Sequence, residues 1–228
     1  MYKIIEDHKD FLLISKHSDV GFHKEGESTG LVDMVRSDNG LKELYALHRL
    51  DKITSGLLLF AKSRDSARKL AAQFRKKIIR KYYLAVSDRK PKKKQGLVQG
   101  DMAKARRGSW RLLRTSEDPA ITQFFSTSMG NKLQLFMLRP YTGKTHQVRV
   151  AMKSIGSPVL GDPLYHKKED AAPDRAYLHS YAISFTLYGR VYRFAHKPDS
   201  GRYFLDAAFL DAVKQYENPW ELPWPKLK

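Results

Sequence analysis

The sequence predicts a mixed α+β fold, with a mainly antiparallel β-sheet and flanking helices, and three observations support this prediction. Short apolar runs alternate with polar turn residues along most of the chain. Two of these runs, ITQFFSTS (121–128) and KLQLFMLRP (132–140), flank MGN and are typical of a β-hairpin. Two further segments, after residue 65 and within 145–156, show the apolar spacing of an amphipathic helix.

The first third of the chain is predicted to hold three strands and one helix. The strands are FLLIS (11–15), VGFHKEG (20–26) and LLLFAKS (57–63), the last of which has the apolar run of a buried strand. Asp65 then provides an N-cap for a helix whose apolar positions follow at i, i+3, i+4 and i+7, namely Ala67, Leu70, Ala71 and Phe74.

The middle of the chain is predicted to combine a strand, a charged loop and the hairpin. KYYLAVSD (81–88) is the strand, and RKPKKKQG (89–96) is a proline-bearing loop that we interpret as a flexible insertion. In the helix THQVRVAMKSIG, Thr145 is the predicted N-cap and Gly156 the C-terminal stop. On a helical wheel Arg149 lies away from the apolar stripe of this helix.

The last part of the chain is predicted to form two more strands and an irregular tail. The strands are RAYLHSYAISFTLYG (175–189) and RVYRFAHKP (190–198). The tail, NPWELPWPKLK (218–228), contains too much proline for a regular element.

Composition excludes several classes of protein. With 228 residues, of which 42% are hydrophobic, the chain can bury a sizeable core. It has no cysteine, which excludes disulfides and thiolate chemistry. The N-terminus lacks the apolar core of a signal peptide, and no run approaches the ~20 apolar residues of a membrane span. We therefore expect a cytoplasmic protein without a membrane partner.

The net charge of +18 indicates a polyanionic partner. Residues 75–114 contain 15 Lys and Arg against two acids, so +13 of the charge lies in this window. Tyr82, Tyr83 and Trp110 lie in the window and Phe74 directly precedes it. Bases interleaved with aromatics suit RNA, which binds proteins through phosphate contacts and base stacking. The predicted phosphate contacts are Lys92, Lys93, Lys94, Arg106 and Arg107.

Several other chemistries lack their motifs. The eight histidines show no pair with the spacing of zinc ligands, and the G-x-S-x-G nucleophile elbow is absent, so we predict no metal site. TGKT (142–145) lacks the upstream glycine of a phosphate-binding P-loop, since Leu138 stands in its place. What remains is Asp51, held between basic residues directly before a buried strand.

Three segments resemble the RluA-type RNA pseudouridine synthases, in the order in which that family has them. HRLDKITSGLLLFAKS (48–63) is similar to the family's H-R-L-D-x-x-T-S-G signature, and KYYLA (81–85) to its K-x-Y-x-A strand. TGKTHQVRVAMKSIGSPVLGDPLY (142–165) is similar to its T-G-R-T-H-Q-I-R segment with the following G-D-x-x-Y. The resemblance implies the family's fold and a reaction that needs no cofactor, in which a uridine is isomerised to pseudouridine.

The resemblance also implies roles for individual residues. Asp51 falls on the catalytic aspartate, Tyr83 on the active-site tyrosine, and Arg149 on the basic residue that pairs with the aspartate. Arg49, in the same motif as His48, corresponds to the arginine that enters the stack left by the extracted nucleotide, and both are predicted RNA contacts. Without the resemblance, Asp51 could be a turn former, Tyr83 a core aromatic and Arg149 a surface charge.

The substrate is left open by the sequence. His17 stands where the family has a proline, Ala151 where a histidine is frequent, and Ser157 where the usual His-Pro begins, and these departures bear on RNA contacts. We expect one catalytic domain over residues 1–228, without a separate N-terminal RNA-binding domain. The expected partner is a stem-loop of ribosomal or transfer RNA, not DNA, bound by a monomer. The alternatives are a non-catalytic RNA-binding protein of this fold and a metal-dependent nuclease, which would need several convergent carboxylates.

Overall fold

A computed structural model describes residues 1–22, 30–166 and 173–227 of the chain. Backbone contacts divide the chain into two units. Unit 1 comprises Met1–Arg80 and Ser180–Lys197, and unit 2 comprises Lys81–His179 and Pro198–Lys228. The predicted class, α+β with a mainly antiparallel sheet and few helices, is confirmed.

Unit 1 is built on a sheet in the order β1-β2-β4-β11, with β3 beside β4 and β12 beside β11. Its elements are β1 (Tyr2–Asp7), β2 (Phe11–Lys16), α1 (Leu31–Asp38), β3 (Tyr45–Ala46), β4 (Ser55–Ala61), α2 (Arg64–Arg75), β11 (Leu178–Leu187, in this unit from Ser180) and β12 (Arg190–Ala195). The strand predicted at 20–26 is wrong for Val20–Phe22, which form no regular element, and its remainder lies outside the described residues.

Continuous apolar runs explain why the central strands of unit 1 are buried. All seven residues of β4 are buried, as are all six of β2. Alternate residues of both strands pack with α2 and β11 in one cluster, which comprises Phe11, Leu13, Leu57, Leu59, Ala61, Leu70, Ile79, Ile183, Phe185 and Leu187. The predicted buried strand after Asp51 is therefore confirmed.

The N-cap of helix α2 lies two residues before the predicted one. The N-cap is Ser63, whose Oγ accepts from the backbone N–H of Ser66, while the Ser66 hydroxyl accepts from the N–H of Ser63. Asp65 lies inside the first turn and instead accepts hydrogen bonds from Lys69, Tyr188 and Arg68, which lower the pKa of its carboxyl to about 2. The prediction of Asp65 as N-cap is thus wrong, although that of the helix is right.

Unit 2 contains a sheet in the order β5-β10-β9-β6 and a separate two-stranded ribbon, β7-β8. Its elements are β5 (Arg80–Ser87, in this unit from Lys81), β6 (Gln95–Gly100), β7 (Met102–Lys104), β8 (Trp110–Leu112), β9 (Ala120–Gly130), β10 (Leu133–Pro140), α3 (Gln147–Ser154) and α4 (Ala207–Ala212). Strands β9 and β10 form the predicted hairpin. Their turn is at Asn131 and Lys132, both with positive φ (47° and 63°), as a type I′ turn requires.

Helix α3 ends as predicted but starts differently. Gly156 has φ +79°, its N–H donates to the carbonyl of Lys153, and the N–H of Ser157 donates to that of Met152. These two bonds form a Schellman motif, the glycine stop that the sequence indicates. The N-cap is His146 in the left-handed region (φ 56°), so the predicted cap at Thr145 is wrong.

Candidate active site

Asp51 lies in a turn between β3 and β4 that is hydrogen-bonded on both sides. Its carbonyl accepts from the N–H of Thr54 (3.0 Å), which closes the turn. The carbonyl of the next residue, Lys52, accepts from the N–H of Asp19 (2.8 Å) and from the ammonium of Lys16 (3.0 Å). Asp51 is half-buried, and the hydrogen bonds of the turn fix the backbone that carries its carboxylate.

Lys16 is fully buried at the end of β2, and its ammonium donates three hydrogen bonds to backbone carbonyls. The acceptors are the carbonyls of His17 (2.9 Å), Val20 (3.0 Å) and Lys52 (3.0 Å). An ammonium has three N–H donors, so these bonds satisfy it. Lys16 thereby ties the segment after β2 to the turn of Asp51, a role that the sequence did not reveal.

The glycine that follows Thr54-Ser55 is required by a close approach of two strands. Gly56 has φ +104°, and a Cβ at this position would lie 2.3 Å from the carbonyl oxygen of Ser180 in β11. The hydroxyl of Ser180 also donates to the carbonyl of Leu57 (3.0 Å). Only glycine fits here, which gives the T-S-G part of the motif a physical reason.

His48 and Arg49 differ in their surroundings within unit 1. The Nε2 atom of His48 accepts from the N–H of Leu59 (3.1 Å), and its ring stacks on Phe74 with 5.1 Å between centroids. Arg49 is exposed. His48 therefore has a structural role in holding its segment against β4, whereas the exposed Arg49 side chain can reach solvent. Their assignment as RNA contacts remains a prediction.

Tyr83 lies in β5 of unit 2, where it is buried opposite Leu138 of β10. Two residues earlier in the same strand, burial lowers the pKa of Lys81 to about 8. Gly143 lies beside this lysine, since a Cβ there would be 3.8 Å from the Lys81 Nζ. The KYYLA and TGKT segments therefore meet in unit 2.

Arg149 is not a surface charge, because its side chain is only 4% exposed. Its Nε and Nη2 atoms donate to the two carboxylate oxygens of Asp162 at 2.7 and 2.9 Å. Asp162 also accepts from the N–H groups of Leu164 (2.9 Å) and Tyr165 (3.2 Å). This bidentate pair joins the V-R-V and G-D-P-L-Y parts of the third motif and fixes the guanidinium.

Tyr165 covers the same arginine and connects it to neighbouring segments. The guanidinium carbon of Arg149 lies 5.0 Å from the ring centroid, and the ammonium of Lys153 lies 5.4 Å from it. The hydroxyl of Tyr165 accepts from the N–H of Trp110 (2.7 Å) and is 3.0 Å from Nδ1 of His146. The aromatic ring therefore holds two cations of α3 on one face of that helix.

Gln147 locks the TGKTHQ loop to β9. Its Oε1 accepts from the Thr142 hydroxyl (2.7 Å) and the N–H of Lys144 (2.9 Å). Its Nε2 donates to the carbonyl of Ile121 and the hydroxyl of Thr122, both at 3.0 Å. All four hydrogen-bonding sites of the amide are used, so this loop is a rigid support for α3 rather than a phosphate-binding loop.

The predicted phosphate contacts are all exposed in unit 2. Lys92, Lys93 and Lys94 lie in the loop before β6, and Arg106 and Arg107 connect β7 to β8. The loop predicted at residues 89–96 is confirmed for residues 89–94, whereas Gln95 and Gly96 belong to β6.

Within residues 1–22, 30–166 and 173–227, no cluster of three or more His, Asp or Glu side chains could hold a metal ion. None of the helices in these ranges is long and apolar enough to span a membrane. Of the three predicted catalytic residues, Asp51 belongs to unit 1, and Tyr83 and Arg149 belong to unit 2.

The sequence is similar to one protein-family model and to several known proteins. The family model described as RNA pseudouridylate synthase matches residues 10–154. A Haemophilus influenzae protein named as an uncharacterized RNA pseudouridine synthase is 42% identical over 94% of this chain and 95% of its own length. The ribosomal large subunit pseudouridine synthase C of Vibrio parahaemolyticus is 31% identical over 81% of this chain, but the match covers only 61% of that protein.

The fold has a counterpart among solved structures. Human RNA pseudouridylate synthase domain containing 1 superimposes with a TM-score of 0.77 over 99% of this chain and 97% of that chain, at 24% sequence identity. At this identity the likeness concerns the fold alone.

Proposed function

The chain belongs to the RNA pseudouridine synthase family, and from that premise we propose that it isomerises a uridine of ribosomal or transfer RNA with Asp51 as catalytic carboxylate. The observation that carries the proposal is the family match over residues 10–154, which includes Asp51, Tyr83 and Arg149. In the reaction the C1′–N1 bond breaks, the uracil turns, and a C1′–C5 bond forms. The hydrogen leaves C5 and N1 gains a proton, so the product is an isomer of the substrate.

Asp51 is proposed to act at the sugar as nucleophile or base, the two roles open to an ionised carboxylate. Support comes from the turn of residues 51–54, which Lys16 and Asp19 hold through the carbonyl of Lys52. A carboxylate on a fixed backbone loses less freedom when it meets its target, which favours catalysis.

Arg149 is proposed to keep the catalytic carboxylate ionised, since a nearby cation favours the charged form of an acid. The bidentate bond to Asp162 and the ring of Tyr165 support this role, because they orient a buried guanidinium. Tyr83, also buried, is proposed as an active-site residue that contacts the base or the sugar.

RNA binding is proposed to rest on the basic window and on extraction of the target nucleotide. Chemistry at C1′ and C5 requires a base that has left the stack, and exposed Arg49 is suited to fill the gap. The net charge of +18 supports an RNA partner. We propose further that the protein works in the cytoplasm as a monomer on a stem-loop and does not bind DNA as a substrate.

A pseudouridine map of total RNA from cells with and without this protein tests the proposal and identifies the target. We expect at least one uridine in ribosomal or transfer RNA to lose its modification when the protein is absent. An unchanged map, together with tight RNA binding by the purified protein, would favour a non-catalytic RNA-binding role.

A companion variant separates catalysis from binding. In the fraction that circular dichroism shows to be folded, Arg149→Met should severely reduce pseudouridine formation while RNA affinity falls only slightly, because one cation among many is lost. Folding is measured alongside, since the variant leaves the buried Asp162 carboxylate without its partner. A loss of affinity as large as the loss of activity would show that Arg149 is an RNA contact.

A further inference from the structure

A pocket of about 520 Å³ lies in unit 2, outside the residues assigned to catalysis. It is formed by the loop before β6, by β6 and β9, and by the C-terminal end of α3. Its lining residues are Pro91, Lys92, Lys93, Gly96, Leu97, Phe124, Lys153, Ser154, Ile155 and Gly156. The volume is within the range of about 300–1,000 Å³ that small-molecule sites occupy.

The floor of the pocket is apolar and its rim is cationic. Phe124 and Pro91 are buried, and Leu97 and Ile155 are half-buried. Gly96 lies against the ring of Phe124, since a Cβ there would come within 3.0 Å of the ring carbon Cε1. The three lysines are exposed, and none of the described lining residues is acidic. The pocket therefore offers an apolar surface for a planar group beneath three cations.

Helix α3 connects this pocket to Arg149. Lys153 follows Arg149 by four residues, and both cations lie against the ring of Tyr165 on the same helix face. At 1.5 Å per residue, Lys153 is about 6 Å further along the helix axis. A short stretch of RNA can span this distance.

We propose that this pocket binds one nucleotide of the substrate RNA that flanks the modified uridine, with the base against the half-buried Leu97 and Ile155 and its phosphate at the lysines. The proposal rests on the proposed function, because it places the pocket relative to the target uridine through the proposed role of Arg149. A phosphate alone would need no apolar floor, and an uncharged base would need no lysine rim, whereas a nucleotide uses both. Splayed bases are the part of RNA that proteins read by stacking and edge contacts.

The first test is nucleotide binding to the full chain, observed by NMR of the labelled methyl groups of Leu97 and Ile155. We expect uridine or adenosine monophosphate to shift both signals in a saturable way. Inorganic phosphate at equal ionic strength should not reproduce these shifts. Equal shifts with inorganic phosphate would overturn the base-binding part and leave only a phosphate contact.

The second test compares three variants for binding of a short single-stranded RNA at fixed salt. Leu97→Trp keeps every charge but fills the pocket, and we expect about a tenfold or greater loss of affinity, as for a lost base stack. Replacing Lys92, Lys93 and Lys153 by Ala should weaken binding more than replacing Lys3, Lys9 and Lys214, which removes the same charge elsewhere on the exposed surface. Equal losses in the two lysine variants, with full affinity in Leu97→Trp, would refute the pocket.

The two proposals fail in distinguishable ways. If pseudouridine forms normally in Leu97→Trp and no mononucleotide shifts Leu97 or Ile155, the pocket proposal is wrong and the proposed function stands. If mononucleotides bind the pocket but the wild-type chain forms no pseudouridine in any RNA, the proposed function is wrong.

Discussion

Replacing Asp162 by Asn should destabilise unit 2 strongly, because it removes the negative charge from a buried ion pair while keeping the side-chain shape. The carboxylate receives two hydrogen bonds from Arg149 and two from the backbone at Leu164 and Tyr165. Neither side chain of the pair has more than 4% exposure. Leaving such a guanidinium without its partner costs about 3–5 kcal/mol, a large part of the 5–15 kcal/mol that stabilises typical domains.

Urea denaturation measures this loss, and Asp211→Asn is a matched control. Asp211 is 81% exposed and pairs with Lys214 at 3.1 Å on the surface. An exposed pair contributes about 0–1 kcal/mol, so the control should unfold almost as the wild type does. If Asp162→Asn changed the free energy of unfolding by less than about 1 kcal/mol, the buried pair would not hold α3 as described.

The double variant Arg149→Met with Asp162→Asn separates structure from chemistry. Removing both charges should recover most of the lost stability, since a buried pair replaced by uncharged groups is often neutral. Pseudouridine formation should remain very low, because the proposed partner of Asp51 is still missing. Activity that returned together with stability would show that Arg149 acts only as a structural group.

Three further predictions concern lysines. Lys16→Met should lower kcat by up to about 100-fold, because the turn that carries Asp51 is misplaced. RNA affinity, measured by filter binding, should be nearly unchanged, and equal losses of kcat and affinity would contradict this prediction. Because burial lowers the pKa of Lys81 to about 8, the unfolded chain binds more protons between pH 8 and its ordinary value of about 10.4. The free energy of unfolding of the wild type should therefore rise with pH in this window relative to Lys81→Met, and equal pH profiles in urea denaturation would show that Lys81 is not desolvated. Replacing Lys92, Lys93 and Lys94 by Ala should reduce the slope of log K against log salt by about 2–3 for RNA binding, and an unchanged slope would place this loop away from RNA.

The sequence predicted best what local chemistry determines. The hairpin around MGN and the glycine stop at Gly156 depend on neighbouring residues, and both were found, although the turn itself lies at Asn131 and Lys132. The wrong N-cap of α2 also has a local explanation. Ser63 and Asp65 are both good N-cap residues, and Ser63 is the N-cap in the structure because Ser66 forms a capping box with it.

Contacts distant in sequence could not be predicted in the same way. Lys16 bonds to the carbonyl of Lys52, 36 residues away, and backbone acceptors leave no mark in a sequence. Arg149 was placed on the polar side of a helical wheel, but Gln147 to Met152 are all buried. Its partner Asp162 lies 13 residues further on, so the periodicity of one helix could not reveal it.

The central claim, that Asp51 is the catalytic carboxylate of an RNA pseudouridine synthase, is tested most directly by tritium release from RNA labelled at C5 of uridine. Wild-type protein should release the label as C5 bonds to C1′. Asp51→Asn, which keeps the shape of the side chain, should fold and bind the same RNA with equal affinity but release none. Appreciable turnover by Asp51→Asn would contradict the claim.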